Sequence, residues 1–328
     1  MKTSPFFIRA LLFAFALCLS LSVNAQSQEQ AWPVKPIRLI NPFAPGGFGD
    51  GVARPLWDQL GQALGQPILV ESQAGANGAL ASSVVSRAAP DGHTLLLANL
   101  GPVAINPALR PQSASDPLKE LVAITQIVSG PLVLVVQADF PAKDLEALIQ
   151  YAKSQPGKLS YGSVGHGSTT HLAGELLNLK AGLDLLQIPY KGAAPVITNI
   201  LGKQIEMGFI NISIAKPHLD SGQLRALGVT TLSRAAIFPN IPAMAERLPD
   251  FEVNPWWGLM APFGTPQAIV DRIALETTKI LNKADIAERF RQNGLEPEGT
   301  TPALFTQRVA SDVAKWRELV KTNNIKPE

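Results

Sequence analysis

The chain has 328 residues, 46% of them hydrophobic and 16% charged, with a formal net charge of +2 and a single cysteine. Near-neutrality with few aromatic residues excludes the electrostatic footprint of a nucleic-acid or anionic-lipid binder. One cysteine excludes a disulfide framework.

Lys2 and Arg9 precede an apolar run from Ala10 to Leu21, and Val23-Asn24-Ala25 has the small-residue pattern a signal peptidase reads. This predicts a signal peptide over 1–25, cleaved after Ala25, and a protein outside the cytoplasm. No later segment reaches the roughly 18 apolar residues of a membrane helix. Cys18 lies inside the signal and follows Leu17, where a lipobox wants Gly or Ala, so no lipid anchor is expected. Loss of Lys2 and Arg9 brings the formal charge to zero. About 300 residues then remain, a length that divides into two domains.

From there the chain alternates strand and helix. Strands are predicted at 37–41 (IRLIN), 67–71 (PILVE) and 93–99 (HTLLLAN), with helices running to about Leu64 and through Ala89. Strands at 132–137 and 158–163 follow, with a helix at 144–154 between them. Helix 170–181, strand 185–190, helix 193–202, and strands 206–212 and 224–231 complete the middle section. After WWGLMAP come three helical segments from Pro266 onward. LLLAN and LVLVV are apolar on both faces, as strands buried between helix layers are. The expectation is an α/β fold of two lobes, each a mostly parallel sheet with helices on both faces. Turn-rich joins near Gly130 and Asn254 place one lobe at 32–129 with 255–328 and the other at 130–254. Two crossings make a hinge, which suits closure around a ligand.

Ligands of open parallel sheets sit where strands end and helices begin, and free N–H groups there attract anions. Two loops qualify. The first contains Phe43, Pro45, Gly46, Gly47, Phe48, Gly49 and Asp50; its glycines would let a carboxylate approach the backbone, and Asp50 would cap the following helix. A plain turn is the alternative, and Pro55 would make the first helical turn irregular. The second loop runs from Ser163 through His166, Gly167 and Ser168 to Thr169, placing hydroxyls and glycines at a helix start. Capping by Ser168 or Thr169 alone is its alternative reading. A third loop at Gly101 could line the same cleft. Trp256-Trp257 reads as core or hinge packing, with one ring facing the cleft as the other option.

Other chemistries fail on spacing. The glycines from Gly47 read G-F-G-D-G-V, with Val52 where a dinucleotide fingerprint needs its last glycine, and neither Gly157-Lys158 nor Gly202-Lys203 continues as a P-loop. Neither Ser163 nor Ser168 sits in a nucleophile elbow. His166 and His171 have no acidic ligand at metal spacing, so neither metal nor cofactor is expected.

Six stretches taken together resemble one family: WPVKPIRLINPFAPGGFGDGVAR, GQPILVESQAGANGALASSVVSRAAPDGHTLLL, AINPAL, PGKLSYGSVGHGSTTHLAGELL, IPYKGAAPVITNILGKQIEMGF and WWGLMAPFGTP. They run in order through nearly the whole mature chain. The chain is similar to the Bug (TctC-like) receptors, the extracytoplasmic solute-binding proteins of tripartite tricarboxylate transporters. The resemblance implies a type II periplasmic binding-protein fold that closes on a small carboxylate. It implies a periplasmic monomer that docks, when loaded, on a membrane permease. It also assigns ligand contacts to the two loops, to Tyr190 and, at the end of EMGFIN, to Asn211. Family ligands include dicarboxylic amino acids, citrate-like acids, nicotinate and aromatic acids. Two departures bear on the ligand: Phe48 stands where the family often has Ser or Thr, and Ile210 where it often has Asp. Both predict a less polar or aromatic monoacid. An exported hydrolase or a ligand sensor on the same fold are the competing functions, and the first lacks an arranged nucleophile and base.

Overall fold

A computed structural model describes residues 32–43, 45, 48–109, 116–322 and 325, with Asp50 described by its backbone alone. The expected signal segment lies outside these residues, as do Gly46 and Gly47. The elements in chain order are β1 (Ile37–Asn41), a π-helical turn (Phe48–Val52), α1 (Arg54–Leu64), β2 (Ile68–Ser72), α2 (Ala79–Ser86) and β3 (Thr94–Asn99). A second π-helical turn (Gly101–Ile105) and two four-residue helical segments lead to β4 (Leu121–Ser129). Then follow β5 (Leu132–Gln137), α3 (Leu145–Lys153), β6 (Ser160–Ser163), α4 (Thr169–Ala181), β7 (Leu186–Pro189), α5 (Ala193–Leu201), β8 (Met207–Asn211), α6 (Ile212–Asp220) and β9 (Leu224–Val229). The chain closes with β10 (Trp256–Pro262), α7 (Gln267–Leu281), α8 (Ala284–Gln292), β11 (Glu296–Pro297) and α9 (Pro302–Thr322).

Among the described residues eleven strands form two sheets, in the orders β11-β4-β10-β3-β1-β2 and β7-β6-β8-β5-β9. Both lie within one compact unit, Lys35–Glu328. The chain leaves the first sheet at Ser129, enters the second at Leu132, and returns between Val229 and Trp256.

Strand directions are mixed where mostly parallel sheets were expected. β1 runs parallel to β2 and β3, and β6 parallel to β7 and β8, but β10 is antiparallel to β3 and β4, and β5 antiparallel to β8 and β9. The cause is topological. β5 and β10 arrive from the other sheet, so they begin at the cleft and must run away from it, opposite to strands that end there. Burial on both faces holds regardless of direction: Leu132, Leu134 and Val136 of β5 enter one apolar cluster, while Val133 and Val135 enter another. The first cluster also contains Ile40, Leu96 and Trp256 of the first sheet, so apolar packing continues from one lobe to the other.

The two crossings are hydrogen-bonded to each other. Gly130 N–H donates to Pro255 C=O at 3.0 Å. The fully buried Thr230 donates its hydroxyl to Val253 C=O at 2.6 Å and accepts from Leu132 N–H at 3.0 Å. Gly130 also lies against the Gly294–Leu295 turn, where an added Cβ would come within 2.6 Å of Leu295 Cδ2 and 3.0 Å of Gly294 O. Replacing Thr230 by Val keeps the shape but strips both groups of a buried partner. Thr230→Val should therefore lower stability by about 1–3 kcal/mol, read as an earlier urea midpoint.

Candidate functional site

The loop from Ser163 to Thr169 joins β6 to α4 as expected, but its hydroxyls are occupied internally. Ser168 is buried and caps α4: its Oγ accepts from His171 N–H at 3.2 Å and bonds Gly165 C=O at 2.6 Å and Thr170 Oγ1 at 3.0 Å. Ser163 Oγ accepts from Gln187 Nε2 at 2.7 Å. Thr170 Oγ1 accepts from Val164 N–H at 2.9 Å. Ser163, Ser168 and Thr170 thus build the loop. Half-buried Thr169 is the hydroxyl left over, and helix geometry gives the N–H groups of Thr169 and Thr170 no acceptor inside α4. Tyr190 flanks the loop, its N–H donating to Ser163 C=O at 2.9 Å, and burial raises its phenol pKa.

His171 locks the same turn. Its Nδ1 accepts from Gly167 N–H at 3.1 Å, and its Nε2 lies 3.9 Å from Glu175 Oε1, which accepts from the Tyr161 hydroxyl at 2.7 Å. The His166 ring stands edge-on to His171, with 5.7 Å between centroids. Burial, then the neighbouring His166, depress the His171 pKa to about 4. With Nδ1 on the Gly167 N–H and Nε2 towards Glu175, neither ring nitrogen of His171 meets Ser168 Oγ, so these two residues do not form a dyad.

The first loop is packed more tightly than its glycines suggested. Phe48–Val52 forms a π-helical turn closed by Ala53 N–H to Phe48 C=O at 2.9 Å. α1 begins only at Arg54, with Pro55 in the first turn, where a missing N–H costs nothing. Its N-cap is Ala53, not Asp50 as expected, because the π turn carries the chain three residues further before the helix starts. Gly49 is buried against its own sheet; an added Cβ would fall 2.9 Å from Leu97 Cδ2, and its carbonyl accepts from Trp57 Nε1 at 2.8 Å. Phe48 stacks on Trp257 at 4.6 Å, and Phe43 meets the same indole edge-on at 5.3 Å. Pro45 is exposed. Trp256 is core, its Nε1 donating to Asp312 at 2.7 Å, while half-buried Trp257 carries the aromatic cluster.

Gly101 is buried, and its N–H donates to Asn99 Oδ1 at 3.2 Å. It lies beside Asn77, a residue sequence reasoning left out although its loop, SQAGANGA, stood in view. Asn77 Nδ2 donates to Gly167 C=O at 2.6 Å, joining a loop of the first sheet to the Ser163–Thr169 loop of the second. Asn211 ends β8 half-buried at the head of α6. Ile210, offered as a determinant of ligand polarity, is wholly buried among Val133, Ile197 and Val229; strand alternation turns it into the core, so it does not face a ligand. A cavity of about 280 Å³ lies elsewhere, at the crossings, lined by residues that include Ser129, Gly130, Thr231, Arg234, Asn254 and Glu298.

Among the described residues no group of three His, Cys, Asp or Glu could hold a metal, and no helix is long and apolar enough to cross a membrane. Residues 52–325 match the model of the tripartite tricarboxylate transporter family receptor. The chain belongs to this family. Its fold is that of the periplasmic binding protein BugD (TM-score 0.82, 33% identity, covering 90% of this chain and 100% of that one). It is similar to MatC of Rhodopseudomonas palustris with bound malate (TM-score 0.80, 32% identity, 88% and 100% covered). It is also similar to Rpa4515 of R. palustris with adipate (TM-score 0.85, 30% identity, 90% and 100% covered). The chain thus sits among two-lobed periplasmic binding proteins, and two of its structural neighbours hold dicarboxylates.

The His171 pKa has a consequence for stability. A histidine near 6.5 when unfolded and about 4 when folded takes up its proton preferentially in the unfolded chain. Its contribution is complete above pH 6.5 and lost as pH falls towards 4, about 3 kcal/mol over the window. Unfolding followed between pH 7 and 4 should show this loss, and His171→Gln should flatten it.

Proposed function

We propose that the chain is a periplasmic receptor that captures a small carboxylate between its lobes and delivers it to the permease of a tripartite tricarboxylate-type transporter. One lobe comprises 32–129 with 255–328, the other 130–254, and a signal peptide over 1–25 exports the chain. The observation that carries this reading is the start of α4. Its hydroxyls are committed to shaping the turn, so the Thr169 hydroxyl and the N–H groups of Thr169 and Thr170 remain for an anion, at the positive end of a 13-residue helix. Phe43 and Phe48 supply the opposing wall, with Tyr190 and Asn211 at the margins. Malate in MatC and adipate in Rpa4515 support a dicarboxylate.

Burial of Ile210 removes one of the two arguments for an apolar monoacid. The Phe43–Phe48–Trp257 cluster still favours an acid whose middle is apolar, so adipate fits better than an amino acid. A hydrolase reading is opposed by the directions of the His171 nitrogens.

A thermal-shift screen of carboxylic acids tests the proposal. A ligand at a hundred times its Kd stabilises the folded chain by about 2.7 kcal/mol, a rise of several degrees. Thr169→Val should weaken binding of the active acid about tenfold, the loss of one hydrogen bond to a charged group. Ser168→Val is the wrong variant, because it removes a buried cap. If no acid shifts the transition, or Thr169→Val binds as tightly as the parent, the proposal is wrong.

A further inference from the structure

We propose that Asn77 is a positioning residue that holds the carboxylate loop from the opposite lobe, and so sets how long a bound carboxylate stays. This deepens the receptor reading and rests on it for the ligand, though not for the contact itself.

Asn77 lies between β2 and α2 in a run of four residues with positive φ: Gly75 (149°), Ala76 (46°), Asn77 (50°) and Gly78 (84°). The left-handed region is unfavourable for Ala and tolerable for Asn, so something must hold the loop in this form. Asn106 Nδ2 donates to Ala76 C=O at 3.1 Å, and Gly78 N–H to Gly75 C=O at 2.8 Å. Gly78 sits so close to Pro102 and Pro42 that an added Cβ would lie 2.4 Å and 3.0 Å from them. The loop is thereby pinned to its own lobe, and its product is the aim of one amide donor.

That donor reaches Gly167 C=O at 2.6 Å, 90 residues along the chain in the turn that follows β6 of the other sheet. Gly167 takes φ +71°, and a Cβ there would fall 3.0 Å from Leu109 Cδ1. Its N–H is held by His171 and its carbonyl by Asn77, so the peptide is gripped from both lobes. The next residues are the Ser168 cap and Thr169. The turn is shaped within its own lobe, and the Asn77 contact fixes where that turn stands relative to the opposite lobe.

Asn77 and Gly167 belong to lobes connected through two chain crossings, so opening the cleft must break this bond. A contact formed only in the closed state raises the closed population, and apparent affinity scales with that population. The donor chemistry is specific: a carboxylate at position 77 would place oxygen against the Gly167 carbonyl oxygen.

The test uses Asn77→Asp and Asn77→Gly, both compatible with the left-handed backbone. Small-angle scattering of the ligand-free chain reports lobe separation, and adipate serves as the kinetic probe. The expected result is a larger radius of gyration for both variants and adipate dissociation at least tenfold faster, with association and melting temperature unchanged. Identical scattering profiles and identical dissociation rates would overturn the proposal. So would a fall in melting temperature that accounts for the faster release, since Asn77 would then merely hold its own loop. If adipate binds none of the three proteins while the variants still open, the contact stands and the choice of ligand fails.

Discussion

The hydroxyl of Thr230 sits where the two chain crossings meet, bonded to Leu132 on one and Val253 on the other. With Gly130 N–H on Pro255 C=O, it makes the crossings a single joint. Much of the architecture follows from that joint. Strands arriving through it start at the cleft and run outward, which makes β5 and β10 antiparallel to their neighbours and leaves β1, β3, β6 and β8 to end at the cleft. The loops that follow those strand ends are the ones brought face to face.

In the loop from Ser163 to Thr169, polar groups divide into those that build and those that remain. Ser168 and Thr170 bond each other, Ser163 accepts from Gln187 of β7 and His171 from the Gly167 N–H, and a buried polar network of this kind is rigid because each member has a partner. Rigidity would serve the proposed anion capture, since N–H groups already aimed need no reordering when a ligand arrives. The depressed His171 pKa is the electrostatic trace of this packing: a neutral ring accepts from Gly167, and a protonated one could not.

The periodic parts of the fold were legible in the sequence. Ile37–Asn41 and Leu132–Gln137 are strands with the bounds their apolar runs indicate, and hydroxyl-glycine composition correctly placed a turn ahead of α4. β4 was not read as a strand, because LVAITQIVS mixes polar and apolar residues without clean alternation; it is buried on both faces, its Thr125 and Gln126 bonded to Thr300. α6 was missed because Pro217 lies inside it. Strand direction was misread because burial on both faces belongs to any central strand, parallel or not. Side-chain roles were least legible. Gly49 and Ser168 have the right composition for ligand contact, and tertiary packing gives both a structural job that composition did not show. Asn77 lies in one of the six family stretches, yet its contact is not legible there, since its partner is a carbonyl in the other lobe.

The proposed receptor reading gives the anion one place to go, the head of α4. A crystal structure of the chain with an acid selected by thermal shift tests this most directly. The expected result is a carboxylate within about 3 Å of the Thr169 and Thr170 N–H groups, with the acid's apolar body towards Phe43 and Phe48. A carboxylate seated instead in the cavity at the crossings, beside Arg234 and Asn254, with the head of α4 empty, would contradict it.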